Sequence, residues 1–585
     1  MIGLRIGDGF LDISPSTSIT LELINPLFSN EMQANSHSYS FTFEATPNNQ
    51  ILLERSNVIQ KTDRITSIEV KIYLFEVYWK AGQLTFSKSS HERYQGSLKV
   101  ETGDIASRFS DFSLRDAAYG GIRVITNDQA TNPYQEMIDH ANATTSQTID
   151  TSDYVFFPVH NKDFYTENLF PDSEPDHEAY MNFWANDSFD NVVSAMLDDS
   201  IDGVYNLVPF PYAMYVLKQA SMEAGYMIAC PMLDDEELRK LVIWNNQALD
   251  KAYAFQIFNA YLEYNLHRFQ IDIREHIPDI SLRDYLGGWM GSFCLAAFGD
   301  GKTLELVPRK VILATSTIID WSDKCLYGAE LDHEDDGGYT LSSELDGADA
   351  LSSAARSYAD IKAAGEVEFF SQLPASTELG LIYYVRFENA FYRNALKENL
   401  QTEEYEWIFE GYRMDAVTVG EGKEEFKSIA STLQIYADLW ETQETSWRIP
   451  RVEQSGSSDM YQQGQNDFDL RFLFYRGMKE DGQQEGKFYP QGSPDNIKSD
   501  EYSLYWYGER GLYEIWWKEW IAFLRNSKRL RYPLELTPHD LRSLDWKHKY
   551  RFLTHEGYVN AFISKLTVQI STEEIQSVQA QIYTT

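Results

Sequence analysis

The chain has 585 residues, 43% of them hydrophobic and 14% aromatic. This excludes wholesale disorder and exceeds what one core ordinarily supports, so about two to four domains are expected. The formal net charge of −39 at pH 7 opposes direct binding to phosphate backbones, and suits a surface past which a polyanion slides without sticking.

Residues 1–130 read as an all-β barrel or sandwich domain. Ile19, Leu21 and Leu23 alternate with polar residues until Asn25-Pro26; Tyr39, Phe41 and Phe43 repeat the pattern, as do Ile68, Val70, Ile72 and Leu74. Residues 131–204 are rich in Asn, Asp, Ser and Thr and read as an extended polar insertion or linker. Residues 205–450 form a mixed α+β middle domain. In it Pro211 opens a helix that closes at Ala224-Gly225, and Ser281-Leu-Arg-Asp284 begins a second with a capping-box pattern. A hairpin follows from Phe293 to Val307 across Gly299-Asp300-Gly301, and Leu381–Phe387 reads as a strand.

Residues 451–585 read as a C-terminal β domain interrupted by one helix. Asp467–Phe474, Ser503–Tyr507, 546–553, 558–570 and the alternating Val578, Ala580 and Ile582 are its expected strands. The helix, Gly511-Leu-Tyr-Glu-Ile-Trp-Trp-Lys-Glu-Trp-Ile-Ala-Phe-Leu524, places Trp516, Trp517 and Trp520 on one face. Three indoles need a large apolar partner, either the domain's own sheet or another subunit. Nine Lys/Arg against four acids then occupy 518–551, among them Arg525, Lys528, Arg529 and Arg531. Such a basic segment on an acidic chain suits an acidic neighbour, a second copy included. The overall class is a β-rich α+β multidomain protein.

Residues that would carry chemistry are sparse. Cys230, Cys294 and Cys325 are too scattered for a disulfide framework or zinc site. The start has no secretory pattern and no window approaches the ~18 apolar residues of a membrane span, so a soluble protein of a reducing cytoplasm is expected. Gly301-Lys302-Thr303 lacks the upstream glycine of a phosphate loop, because Ala296 stands there. Asp332, Glu334 and Asp336 with Gly337 imitate the start of a calcium loop, but Ser343 replaces the closing Glu; they are weak metal candidates, and a solvated acidic loop is the expectation. No His-Glu-x-x-His or Gly-x-Ser-x-Gly pattern occurs. Neither a cofactor nor an enzymatic activity is expected.

The order of segments resembles the tail and baseplate hub proteins of tailed bacteriophages. The matching pieces are Asn25-Pro-Leu-Phe-Ser29, Ser38-Tyr-Ser-Phe-Thr-Phe-Glu-Ala-Thr-Pro47, Tyr215-Val-Leu-Lys-Gln-Ala-Ser-Met-Glu-Ala-Gly225, the Leu282–Val307 helix-hairpin, Leu473-Phe-Tyr-Arg-Gly477, Gly511–Trp520 and the closing strands. The acidic loop at 332–338 and the polar stretch at 455–467 depart from it. The resemblance implies tail-tube-like β-barrel domains at both ends and a ring, usually of three copies, around an acidic DNA channel. It also implies contacts with tube, baseplate, fibre or spike proteins, and a place in the virion tail after assembly in the bacterial cytoplasm. A receptor- or carbohydrate-binding tail protein is the alternative, and a hub with an embedded cell-wall hydrolase a third reading.

Overall fold

The alternating apolar residues at the two ends of the chain belong to one sheet. The computed structural model describes residues 2–29, 36–56, 66–100, 105–127, 130–161, 163–164, 180–189, 207–249, 251–257, 260–266, 269–300, 302–332, 338–344, 346–349, 356–357, 365–377, 381–385, 390–399, 404–412, 414–439, 446–454, 468–481, 485–496 and 498–585. Its largest sheet has 14 strands, running in the order Gly9–Phe10, Ile2–Ile6, Ser67–Leu74, Val77–Ser89, Arg93–Val100, His37–Ser38, Ile19–Ile24, Gly557–Ile570, Ile575–Thr584, Arg529–Leu534 and Glu330–Asp332, with three more on its flanks. The seam between the ends is antiparallel, from Ile19 opposite Ile570 to Ile24 opposite Lys565. Leu21, Leu23, Ile72, Leu566, Val568 and Ile582 point into a shared core, as the period-two pattern requires.

Asn25 holds the place where this sheet forks. The strand Gly557–Ile570 pairs with Lys549–Thr554 over its first residues and with Ile19–Ile24 over its last. At the gap the Asn25 backbone N–H donates to Ser564 O at 2.9 Å. Its side-chain amide donates to Ile563 O at 2.7 Å and Trp546 O at 3.2 Å, and its Oδ1 accepts from Leu27 N at 2.8 Å, starting the turn Pro26–Phe28. Every polar atom the fork exposes to Asn25 thus gains a partner.

The sheet curls until Ile2 N–H reaches Ser571 O at 3.3 Å, one bond and not a ladder. The expected barrel at each end is therefore corrected: among the described residues no sheet closes into a barrel. The strands near both ends complete one another's hydrogen bonding, which is why neither needs closure to cover its edge.

A second core lies beside the sheet. It gathers the helices Ala213–Glu223 and Leu282–Phe293, the hairpin Leu295–Asp300 with Thr303–Pro308, and the C-terminal aromatic helix. The first of these helices begins one residue beyond Tyr212, since Pro211 ends a short strand, Phe210–Pro211. Ser281 caps the second by accepting from Asp284 N at 3.1 Å, and Cys294 ends it in the left-handed conformation, φ 50°. Residues 131–204, read as extended, contain the helix Pro133–Thr144. Asn132 caps it, Pro133 opens it, and Met137, Ile138 and Ala141 are buried; a polar average hid these local signals. A third core stacks Phe157 on Phe210 at 4.3 Å and Phe210 near Trp244 at 5.9 Å.

Candidate functional site

The aromatic helix enters through a tight loop. Ser503–Tyr507, expected as a strand, is a loop folded back on the helix start: Leu512 N donates to Tyr505 O at 2.8 Å and Tyr513 N to Trp506 O at 3.2 Å. A Cβ at Gly511 would lie 2.7 Å from both the Tyr505 and Tyr507 carbonyl oxygens, so only glycine fits. The first turn, Tyr513–Trp517, is a π turn, with Lys518 N–H reaching back to Tyr513 O, and the α-helix Lys518–Asn526 continues from it. This wide turn lets the consecutive indoles of Trp516 and Trp517 both face inward.

The structure puts Trp516, Trp517 and Trp520 in the core, 5%, 2% and 2% exposed. Trp516 meets Phe293 edge-on at 5.5 Å. Trp517 meets Phe426 at 5.0 Å and donates its Nε1–H to Gly291 O at 3.0 Å. Trp520 meets Phe28 at 5.4 Å, and Phe523 on the same helix reaches Phe562 of the large sheet at 5.9 Å. The helix thus packs the second core, to which Phe562 itself belongs, against a strand of the large sheet.

Two cations complete this box. The Arg309 guanidinium lies 5.0 Å from the Trp520 ring and 5.9 Å from that of Trp517, and donates to Ser29 O. Lys310 Nζ sits 4.2 Å from the Trp516 ring and donates to Ile515 O at 2.8 Å. Burial lowers the pKa of both groups, and burial pushes the neighbouring Cys294 thiol up to about 12. That thiol is a packing group and not a nucleophile. Among the described residues Arg309 has no carboxylate partner, and the indole faces supply its counter-field. The charges of Arg309 and Lys310 carried no periodic signal in the sequence.

The basic segment is largely engaged within the chain. Arg531 pairs with Asp332 at 3.7 Å, Lys547 with Glu305 at 2.8 Å and Arg551 with Asp320 at 3.9 Å. Lys518 pairs with Glu514, and Arg529 lies 5.3 Å from the Tyr583 ring. Arg525 and Lys528 are exposed and have no ion-pair partner among the described residues. Of the acidic candidates, Asp332 ends the strand Glu330–Asp332, while Glu334, Asp336 and Gly337 lie outside the described residues. Among the described residues no group of three or more His, Cys, Asp or Glu could hold a metal ion.

Behind the box an open groove of about 630 Å³ runs between the strand Met414–Gly420 and the entry loop. Tyr384, Thr418, Tyr507, Glu509, Tyr513 and Glu514 line it. Tyr384 and Tyr507 meet edge to face at 5.1 Å, and Phe391, buried, braces them at 4.8 and 5.0 Å. Glu509 is exposed, while Tyr384, Tyr507 and Tyr513 are half-buried.

No protein-family model matches the chain, and no curated protein matches it. Solved structures do align with it. The 43 kDa tail protein of prophage MuSo2 from Shewanella oneidensis aligns over 99% of this chain and 97% of its own, at 5% identity and a TM-score of 0.32. The prophage tail protein gp18 from Listeria monocytogenes EGD-e aligns over 100% and 94%, at 7% identity and 0.30. The tail protein from Neisseria meningitidis MC58 aligns over 100% and 95%, at 7% identity and 0.31. TM-scores this low leave the folds unmatched as wholes, so no function transfers through them.

Proposed function

We propose that the chain is a structural component of a bacteriophage tail, the hub that joins the tail tube to baseplate, fibre or spike as a ring of three around the DNA channel. The observation that carries this reading is the run of hub-like motifs along the chain, of which the first, Asn25–Ser29, packs on the aromatic helix, Phe28 against Trp520. A sheet drawn from both ends and an aromatic box filled by its own cations are scaffold features. The net charge of −39 gives a polyanion little to adhere to. Among the described residues Arg525, Lys528 and Arg542 are the exposed cations of the basic segment left to meet an acidic neighbour, and head-to-tail contacts of that sort close into rings when the rotation permits.

The test is a mass measurement on protein released from assembled particles, with Arg525→Glu/Lys528→Glu alongside the native chain. The expected result is a closed ring that the double reversal weakens while the thermal midpoint stays put. Single peripheral copies, or a ring indifferent to the reversal, would overturn the hub reading. Purified protein and duplex DNA should show no binding near physiological salt.

A further inference from the structure

We propose that the tyrosine groove is a binding site for a neutral oligosaccharide; this goes beyond the tail reading and does not depend on it. Its volume, about 630 Å³, falls among small-ligand sites, and its mixture of aromatic walls with a few polar groups is what such sites use. The two walls come from distant parts of the chain, Tyr384 from the strand Ile382–Val385 and Tyr507, Glu509 and Tyr513 from the entry loop and first helical turn. Phe391 fixes the Tyr384–Tyr507 pair from behind, so these rings lose little freedom when a ligand arrives.

The chemistry of the lining selects the ligand. Among the described residues no Lys, Arg or His contributes to it, which disfavours phosphate, sulfate and carboxylate groups. A cationic ligand gains little either: Lys518 neutralises Glu514, and Glu509 stands at the exposed rim, where water screens it. What remains is a surface of tyrosine rings for apolar C–H faces, with a phenol, a hydroxyl and carboxylate oxygens for hydroxyl groups. The Tyr513 hydroxyl and the Glu509 carboxylate have no hydrogen-bond partner among the described residues, so both are available. A sugar ring presents this pairing of an apolar face with a hydroxylated edge.

The experiment is saturation-transfer NMR and calorimetry on the full chain with cellotetraose, maltotetraose and chitotetraose, with choline and tripolyphosphate as charged probes. At least one tetrasaccharide should bind. Tyr513→Phe, which keeps the ring, and Glu509→Ala, which removes the exposed carboxylate, should each weaken it about fivefold by removing one hydrogen bond, with the thermal midpoint unchanged. The proposal is overturned if none of the three binds, if both variants bind as the native chain does, or if choline or tripolyphosphate displaces the sugar.

Discussion

The large sheet and the aromatic box hold the chain together by opposite means. In the sheet, specificity lies in the backbone: aliphatic residues alternate, and the fork is filled by the amide of Asn25. In the box, specificity lies in side chains: three indoles from one helix close over two cations. A cation in such a site differs from one held by carboxylates. Arg471 shows the second arrangement, fully buried and paired with the buried Asp346 and Asp349, the latter at 2.8 Å. Removing Arg471 strands two acids, whereas removing Arg309 strands none among the described residues. A buried charge is thus held in this molecule by two different fields, with different consequences for substitution.

The sharpest way to break the contrast is Trp517→Ala, which empties the centre of the box and should cost about 3–5 kcal/mol in denaturant unfolding. Arg471→Met should be about as damaging, near 3–5 kcal/mol, because Asp346 and Asp349 remain buried without their cation. Asn25→Ala should cost about 2 kcal/mol by leaving the carbonyls of Trp546 and Ile563 and the N–H of Leu27 unsatisfied. Arg309→Met should cost about 1 kcal/mol or less, since the new thioether suits the indole faces and no acid is abandoned. If Arg309→Met proves as costly as Arg471→Met, the two fields are not different in kind.

The smallest expected effect concerns pH. Burial holds the His140 imidazole below its ordinary pKa, with its Nε2 2.8 Å from the Tyr154 hydroxyl. Below about pH 6.5 the unfolded imidazole takes up a proton that the folded one still refuses. The unfolded state then binds more protons, so stability falls as pH drops through that window. His140→Gln should flatten this part of the stability–pH curve; an unchanged slope would assign it to other groups.

Strands were legible where one face is buried. Ile19, Leu21 and Leu23, and likewise Val578, Ala580 and Ile582, show their period because the opposite faces are wet. That these two sets share a sheet was not legible, because nothing local marks a partner at the far end of the chain. The capped helix and hairpin around Ser281–Val307 were readable from local chemistry. Ser503–Tyr507 misled, because aromatic content favours a strand while Gly508, at φ 113°, and the crowded Gly511 impose a loop. The indole face of the helix was visible from spacing, but not Arg309 and Lys310 beneath it. The groove left no signal, since Tyr384 and Tyr507 meet only through tertiary packing.

The seam between Ile19–Ile24 and Gly557–Ile570 also sets a schedule. Ser18 donates to Gln576, 558 positions further on. At about 5–20 residues per second, a ribosome needs roughly half a minute to two minutes to deliver that partner after the first strands emerge. Throughout that interval one edge of Ile19–Ile24 presents unpaired backbone groups flanked by Leu21 and Leu23, a template for the wrong strand. Nascent chains of this protein therefore need shelter in proportion to translation time, and any chain that stops short of residue 565 keeps that sticky edge for good.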